Sequence, residues 1–409
     1  MRVESVHIEK INKIPRKIKN LEKYYPTRSF SSNLWQSPVG KGDWRVIKEE
    51  LGKVQIAITN RCNLACKICY ARSSPNDFSM EMSKETFIKI LRRIGRNKRV
   101  ILIGGEPTIR GDIFELIDLI RKSGNIPEIY TNGIRLADFS FAEELVKRGV
   151  RRIYFSFDGF DRSYYEVMNG SGEVLSYKLL ALKNLMKLNV SLVLSSRIVK
   201  GLNEKEIKKI IDFCVRARKR GKNIFGIYFF GATNYGRFEV KNGEMNLLHL
   251  FRLVKKATGG VASLEYFIEF KKFLLLLHRM MKKFGIKLSF GSGGLIAPFE
   301  AGSVKRVIEI NKLKKINYEL ERGRYFQMLK FAKSMRYLKN IFNLFKSILG
   351  TPLEYLSLPS RLFFIGMGNI STPLNFTPSS VDAVELFEIK GERPIFVRYI
   401  DGWGDGENE

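Results

Sequence analysis

Thr59-Asn-Arg-Cys-Asn-Leu-Ala-Cys-Lys-Ile-Cys-Tyr70 carries three of the chain's four cysteines, Cys62, Cys66 and Cys69, spaced C-x3-C-x2-C. The odd number matters. A structural zinc site is closed by four N or S ligands, often as paired C-x2-C knuckles. A ferredoxin-type iron–sulfur cluster also takes four thiolates. Three thiolates on one loop leave a metal position without a protein ligand, which a catalytic site needs and a structural one avoids.

Outward from this loop the pattern alternates between strand and helix. Strands are predicted at 54–59, 99–103, 127–131, 151–157, 190–198 and 223–230, with helical periodicity near 83–95, 112–123, 141–148, 173–188 and 203–219. Six strands with five crossover helices predict parallel β/α units. Four further segments each end one of these strands. They are Val100-Ile-Leu-Ile-Gly-Gly-Glu-Pro107, Ile129-Tyr-Thr-Asn-Gly133, Ile153-Tyr-Phe-Ser-Phe-Asp-Gly159 and Leu192-Val-Leu-Ser-Ser-Arg-Ile-Val-Lys-Gly-Leu-Asn203. In barrels of such units the chemistry sits at the C-terminal ends of the strands. The two glycines at 104 and 105 are expected to let the backbone approach a ligand closely.

This ordered set resembles the radical S-adenosylmethionine (radical SAM) superfamily over about residues 50–235. The resemblance implies an α/β fold, a partial (β/α)6 TIM-like barrel of radical SAM type with an N-terminal cap and a mostly helical C-terminal extension. It implies one 4Fe–4S cluster on Cys62, Cys66 and Cys69, with the fourth iron chelated by S-adenosyl-L-methionine. Gly104, Gly105, Glu106 and Pro107 would hold the SAM amino group, with Glu106 as acceptor. Thr131 and Asn132 would close strand three, Ser156 and Asp158 would face SAM, and Ser196 and Arg197 would meet the ribose and the carboxylate. Ile68 and Tyr70 flank the third cysteine and are expected against SAM; the family often has an aromatic residue where Ile68 stands. An electron from the cluster, supplied by a reductant such as a ferredoxin or flavodoxin, would cleave SAM to a 5′-deoxyadenosyl radical that abstracts hydrogen from an unactivated C–H. A zinc loop completed by His7, His249 or His278 is the plainer alternative, but zinc leaves the other four segments unexplained.

The rest of the chain supplies bounds. At 409 residues, 44% of them hydrophobic, it exceeds one typical domain. The expected divisions are a cap over 1–48, the core barrel over 49–235, a helical extension over 236–300 and a substrate-side region over 301–409. Lys and Arg number 71 against 41 Asp and Glu, a formal net charge of +30. Such an excess points to a polyanionic partner: nucleic acid, an anionic membrane surface or a phosphorylated substrate. Among substrates an isoprenoid membrane lipid is expected first, tRNA second, and a peptide or small metabolite third. A Lys-rich, Gln-poor composition also suits an archaeal thermophile, although such proteins usually balance Lys with Glu. Met328, Phe331, Met335, Leu338, Phe342, Phe345 and Leu349 form a helical stripe flanked by lysines and an arginine. The commoner fate of such a stripe is packing on the barrel; the alternative is an amphipathic helix on an anionic membrane. Arg361-Leu-Phe-Phe-Ile-Gly-Met-Gly368 resembles a C-terminal segment of the archaeal branch of tetraether-lipid synthases and pterin methylases. Cys214 falls on an apolar helix face and reads as a buried small hydrophobe, which leaves no cysteines for a second cluster. No secretion signal or membrane span is predicted, so the expected location is cytoplasmic, with peripheral contact to the inner membrane face as an option. A non-catalytic metal-binding interaction protein is the competing class.

Overall fold

The computed structural model describes residues 53–69, 71–78, 81–232, 245–283, 295–300, 302–325, 327, 362–369, 385–390 and 393–398. Tyr70, the 1–48 cap and most of the 323–349 stripe lie outside the described residues.

Six strands form the centre: β1 (Lys53–Thr59), β2 (Arg99–Gly104), β3 (Ile126–Thr131), β4 (Arg152–Ser156), β5 (Ser191–Ile198) and β6 (Ile224–Gly231). They pair in sequence order and in parallel throughout. Helices cross between them: α1 (Lys84–Ile94), α2 (Ile113–Lys122), α3 (Phe139–Lys147), α4 (Arg162–Asn169), α5 (Glu173–Leu185) and α6 (Glu206–Lys219). Strand alternation divides the sheet into two faces. Ile56, Ile58, Leu102, Ile129, Ile153, Phe155, Leu192, Leu194 and Ile198 join the large core beneath the helices. Ala57, Ile101, Ile103, Tyr154 and Val193 point the other way and form a smaller inner cluster, with Tyr130 and Tyr228 packed against it. This pattern of two covered faces explains the continuous apolar run Val100–Ile103 of β2.

Helix α1 shows how local sequence sets the elements. Ser83 caps it by accepting from the Thr86 N–H at 3.2 Å, and Glu85 sits in the first turn with Arg92 and Arg93 in the last. Phe87, Ile90, Leu91 and Ile94 are its buried face, and Gly95 at φ +77° ends it.

The inner floor, at the N-terminal ends of the strands, is polar. Arg99 Nε and Nη2 donate to the two Glu128 oxygens, each at 2.6 Å, and Nη2 also reaches the Tyr154 hydroxyl at 3.0 Å. Arg152 stacks over the Phe225 ring at 4.5 Å. These groups fill the floor; the cysteine loop leaves β1 at the opposite, C-terminal end of the strands.

The sheet extends beyond the six-strand centre. After α7 (Leu247–Ala257) and α8 (Leu264–Lys283) come β7 (Leu295–Glu300), α9 (Ile310–Glu321), β8 (Leu362–Asn369), β9 (Glu385–Lys390) and β10 (Arg393–Arg398). Strand β8 runs parallel to β6 and antiparallel to β7, while β9 runs parallel to β1. The order is β10-β9-β1-β2-β3-β4-β5-β6-β8-β7, an open sheet. The C-terminal extension thus adds strands as well as the expected helices. Gly366 permits this docking: a Cβ there would lie 2.5 Å from the Tyr228 ring.

Candidate functional site

The cysteine loop begins where β1 stops and is tied down mainly by backbone bonds. Cys62 N–H donates to Ser74 O at 3.1 Å, and Cys69 N–H to Cys66 O at 3.1 Å, a tight turn over the C-x2-C half. The segment after β2 stitches onto the loop start: Gly105 N–H donates to Thr59 O at 2.7 Å and Glu106 N–H to Arg61 O at 2.8 Å. A Cβ on Gly104 would come within 2.2 Å of Thr59 O, and one on Gly105 within 2.2 Å of Arg61 O. The two glycines therefore permit close approach of this segment to the start of the cysteine loop.

Glu106 is fully buried. One carboxylate oxygen accepts from the Thr108 N–H at 3.1 Å, the Thr108 hydroxyl at 2.6 Å and the Thr131 hydroxyl at 2.7 Å; the other accepts from the Asn132 N–H at 2.6 Å. Three of these donors fall on one oxygen and one on the other, so the side chain joins the ends of β2 and β3. Burial raises its pKa, and the Thr108, Asn132 and Thr131 hydrogen bonds oppose that rise. Pro107 is buried beside it.

Asn132 links this junction to the thiols. Its Nδ2 lies 3.7 Å from Cys62 Sγ and donates to Asn63 Oδ1 at 2.7 Å. From the other side, Asn169 at the end of α4 donates through Nδ2 to Cys66 Sγ at 2.9 Å, while Lys67 N–H donates to Met168 O at 2.8 Å. Burial pushes the Cys62 and Cys66 thiols up, with Glu106 adding to the first and Cys69 to the second. Ile68 is half-buried against the core.

On the inner side, Ser156 and Ser195 stand opposite one another across β4 and β5. Both share the phase of inner-cluster residues, Ser156 with Tyr154 and Ser195 with Val193. Arg197 follows in the same phase. Ser196 does not: it is fully buried on the face of Leu194 and Ile198, and its hydroxyl has no hydrogen-bond partner among the described residues. By strand alternation its neighbour Ser195 is the serine on the inner side. Asp158 is also buried, and accepts from the Arg197 N–H at 2.6 Å. Burial raises its carboxyl, opposed by Lys178 and Arg197. It ties the turn after β4 to β5.

Lys178 on α5 is 2% exposed and donates to Asn132 O at 2.8 Å and Ser156 O at 2.7 Å. The sequence reading passed over it and over the whole of α4. A signal existed: Lys178 is in helical phase with Val174, Leu175, Ala181, Leu182 and Leu185, a lysine within an apolar stripe.

Three thiols and no carboxylate ligand on one loop suit one thiolate to each of three irons. Among the described residues no three His, Cys, Asp or Glu converge as a single metal ion would require; three separate irons impose no such convergence. His249 pairs with Glu204 at 3.1 Å, and Cys214 is buried in the helix-side core. Half-buried Ser156 and Arg197 are polar residues in inner phase, a residue chemistry that fits an amino acid-bearing nucleoside.

Residues 56–214 match the profile of the Radical SAM superfamily. The chain is 31% identical over 221 residues to the 7,8-dihydro-6-hydroxymethylpterin dimethyltransferase of Methanocaldococcus jannaschii, covering 52% of this chain and 43% of that one. It is 35% identical over 162 residues to the probable GTP 3′,8-cyclase of Pyrococcus abyssi, covering 39% and 52%. It is 30% identical over 225 residues to the GTP 3′,8-cyclase of Clostridium perfringens, covering 53% and 67%. The chain belongs to the radical SAM superfamily. It is an enzyme of that class, whose cofactors are a 4Fe–4S cluster and SAM. It spans about half the length of the first two relatives, 43% and 52%.

Proposed function

We propose that Cys62, Cys66 and Cys69 hold one 4Fe–4S cluster and that SAM completes it, for hydrogen abstraction from an unactivated C–H of a substrate at the open inner end. The observation that carries this is the three-thiol loop at the C-terminal end of β1, with Asn132, Ser156, Ser195 and Arg197 at the ends of the neighbouring strands. When bound, the cluster supplies the electron that splits SAM into methionine and a 5′-deoxyadenosyl radical. The residues of this chain do the positioning. Glu106 and the glycines hold the loop in place, Asn132 and Asn169 orient two of the sulfurs, and Ser156, Ser195 and Arg197 contact SAM. The core unit is proposed as 49–235, with the later segments on the substrate side.

For the substrate we favour a planar nitrogen heterocycle carrying negative charge. Support comes from the half-buried aromatics Tyr130, Tyr228 and Phe230 on the inner side and from the net charge of +30. The names of the relatives, a GTP cyclase and a pterin dimethyltransferase, agree in chemistry. An isoprenoid membrane lipid is the second reading, and tRNA the third; the net charge of +30 supports both. A ferredoxin or flavodoxin is the proposed reductant. No helix among the described residues is long and apolar enough to cross a membrane, so lipid contact would be peripheral.

The test is isotopic. The loaded enzyme is given reductant, SAM and deuterated candidates: a guanine nucleotide, a reduced pterin, an isoprenoid ether lipid and bulk tRNA. Deuterium in 5′-deoxyadenosine from a heterocycle supports the first choice. Transfer from the lipid or tRNA alone replaces it.

A further inference from the structure

A lysine in the apolar stripe of α5 is costly unless its charge is used, because burial disfavours the ammonium form. Lys178 sits over the rings of Phe155 and Tyr165, at 5.6 and 6.0 Å from their centroids. It spends two N–H groups on the carbonyls that end β3 and β4, at Asn132 and Ser156. Through Asn132 it reaches the thiols: the residue whose carbonyl it holds has its Nδ2 3.7 Å from Cys62 Sγ. Asn169 approaches another of the thiols directly, 2.9 Å from Cys66 Sγ.

Reduction of a thiolate-held cluster adds one negative charge. A fixed cation in a low-dielectric interior stabilises the reduced form more than the oxidised one, and so does an N–H aimed at a ligand sulfur. We propose that Lys178 and Asn169 are positioning residues that raise the reduction potential of the cluster, Lys178 by its buried charge and Asn169 by its N–H···S bond. This rests on the reading that Cys62, Cys66 and Cys69 hold the cluster. Asn169 acts on Cys66 by hydrogen bond, and Lys178 acts by charge from the carbonyls of Asn132 and Ser156.

The test is a redox titration of the reconstituted full chain, followed by EPR without SAM or substrate. Lys178→Gln keeps a donor and loses the charge; Asn169→Leu loses the bond to sulfur; Lys178→Arg keeps the charge. At a fixed potential, Lys178→Gln and Asn169→Leu should each lower the reduced-to-oxidised ratio about tenfold, about 59 mV for a one-electron couple. Lys178→Arg should stay near the parent. Clusters that assemble in all variants with unmoved potentials overturn the proposal while leaving the cluster assignment intact. A parent chain that takes up no iron and sulfide overturns both. Asn169→Leu, at a half-buried helix end, decides the matter where Lys178→Gln does not fold: a shift supports the proposal and its absence overturns it.

Discussion

At Gly105 the chain has no room for a single extra carbon. A Cβ would meet Arg61 O at 2.2 Å and Asn60 O at 2.5 Å, both on the cysteine loop. Gly105→Ala should displace that loop, costing about 1–3 kcal/mol of stability as overpacking does, and should abolish cluster uptake measured as iron per chain. Ser196→Ala should do the opposite. It removes a buried hydroxyl with no partner among the described residues, so unfolding stability should rise by about 1 kcal/mol and SAM cleavage should stay at the parental rate. Slower SAM cleavage would return Ser196 to the site. The cysteines were legible as residues because their spacing is itself the chemical statement. The surroundings of Gly105, Glu106 and Ser196 were not. They depend on which carbonyl lies opposite and on the parity of a strand, and two adjacent serines look alike in a sequence.

At the scale of elements, apolar periodicity located β1 to β6 within two residues, since each parallel strand is buried on both faces. Helix α4 escaped: it is only eight residues long, and its buried Tyr164, Tyr165 and Met168 make a short pattern. Yet its last residue touches Cys66. Strands β8 and β9 pair with β6 and β1 over long sequence separations, a matter of register that no local pattern encodes. The floor makes its own prediction. Arg99→Met would leave the Glu128 carboxylate buried without its bidentate partner, which should cost about 3–5 kcal/mol in denaturant unfolding of the apo chain. Arg99→Met combined with Glu128→Gln should recover part of that loss. No recovery would mean that the pair is not coupled.

At the scale of the whole molecule, the buried thiols link stability to pH. Cys62, Cys66 and Cys214 are all held above the ordinary thiol range by burial. The folded apo chain keeps these protons where the unfolded chain releases them. Their contribution is therefore intact below the unfolded thiol pKa and lost as pH rises through and beyond it. Thermal unfolding of the apo chain should fall from neutral pH to about pH 9.5, past the unfolded thiol value of about 8.5, and Cys214→Ala should flatten that fall. A slope equal to the parent's would count against it. The central claim is that the three-thiol loop loads a cluster that cleaves SAM. Its most direct test is anaerobic: reconstitute the chain with iron and sulfide, reduce with dithionite, add SAM, and measure 5′-deoxyadenosine and methionine. Both products from the parent chain, and neither from Cys66→Ala, is the predicted result. A cluster that forms on the parent yet leaves SAM intact would contradict it.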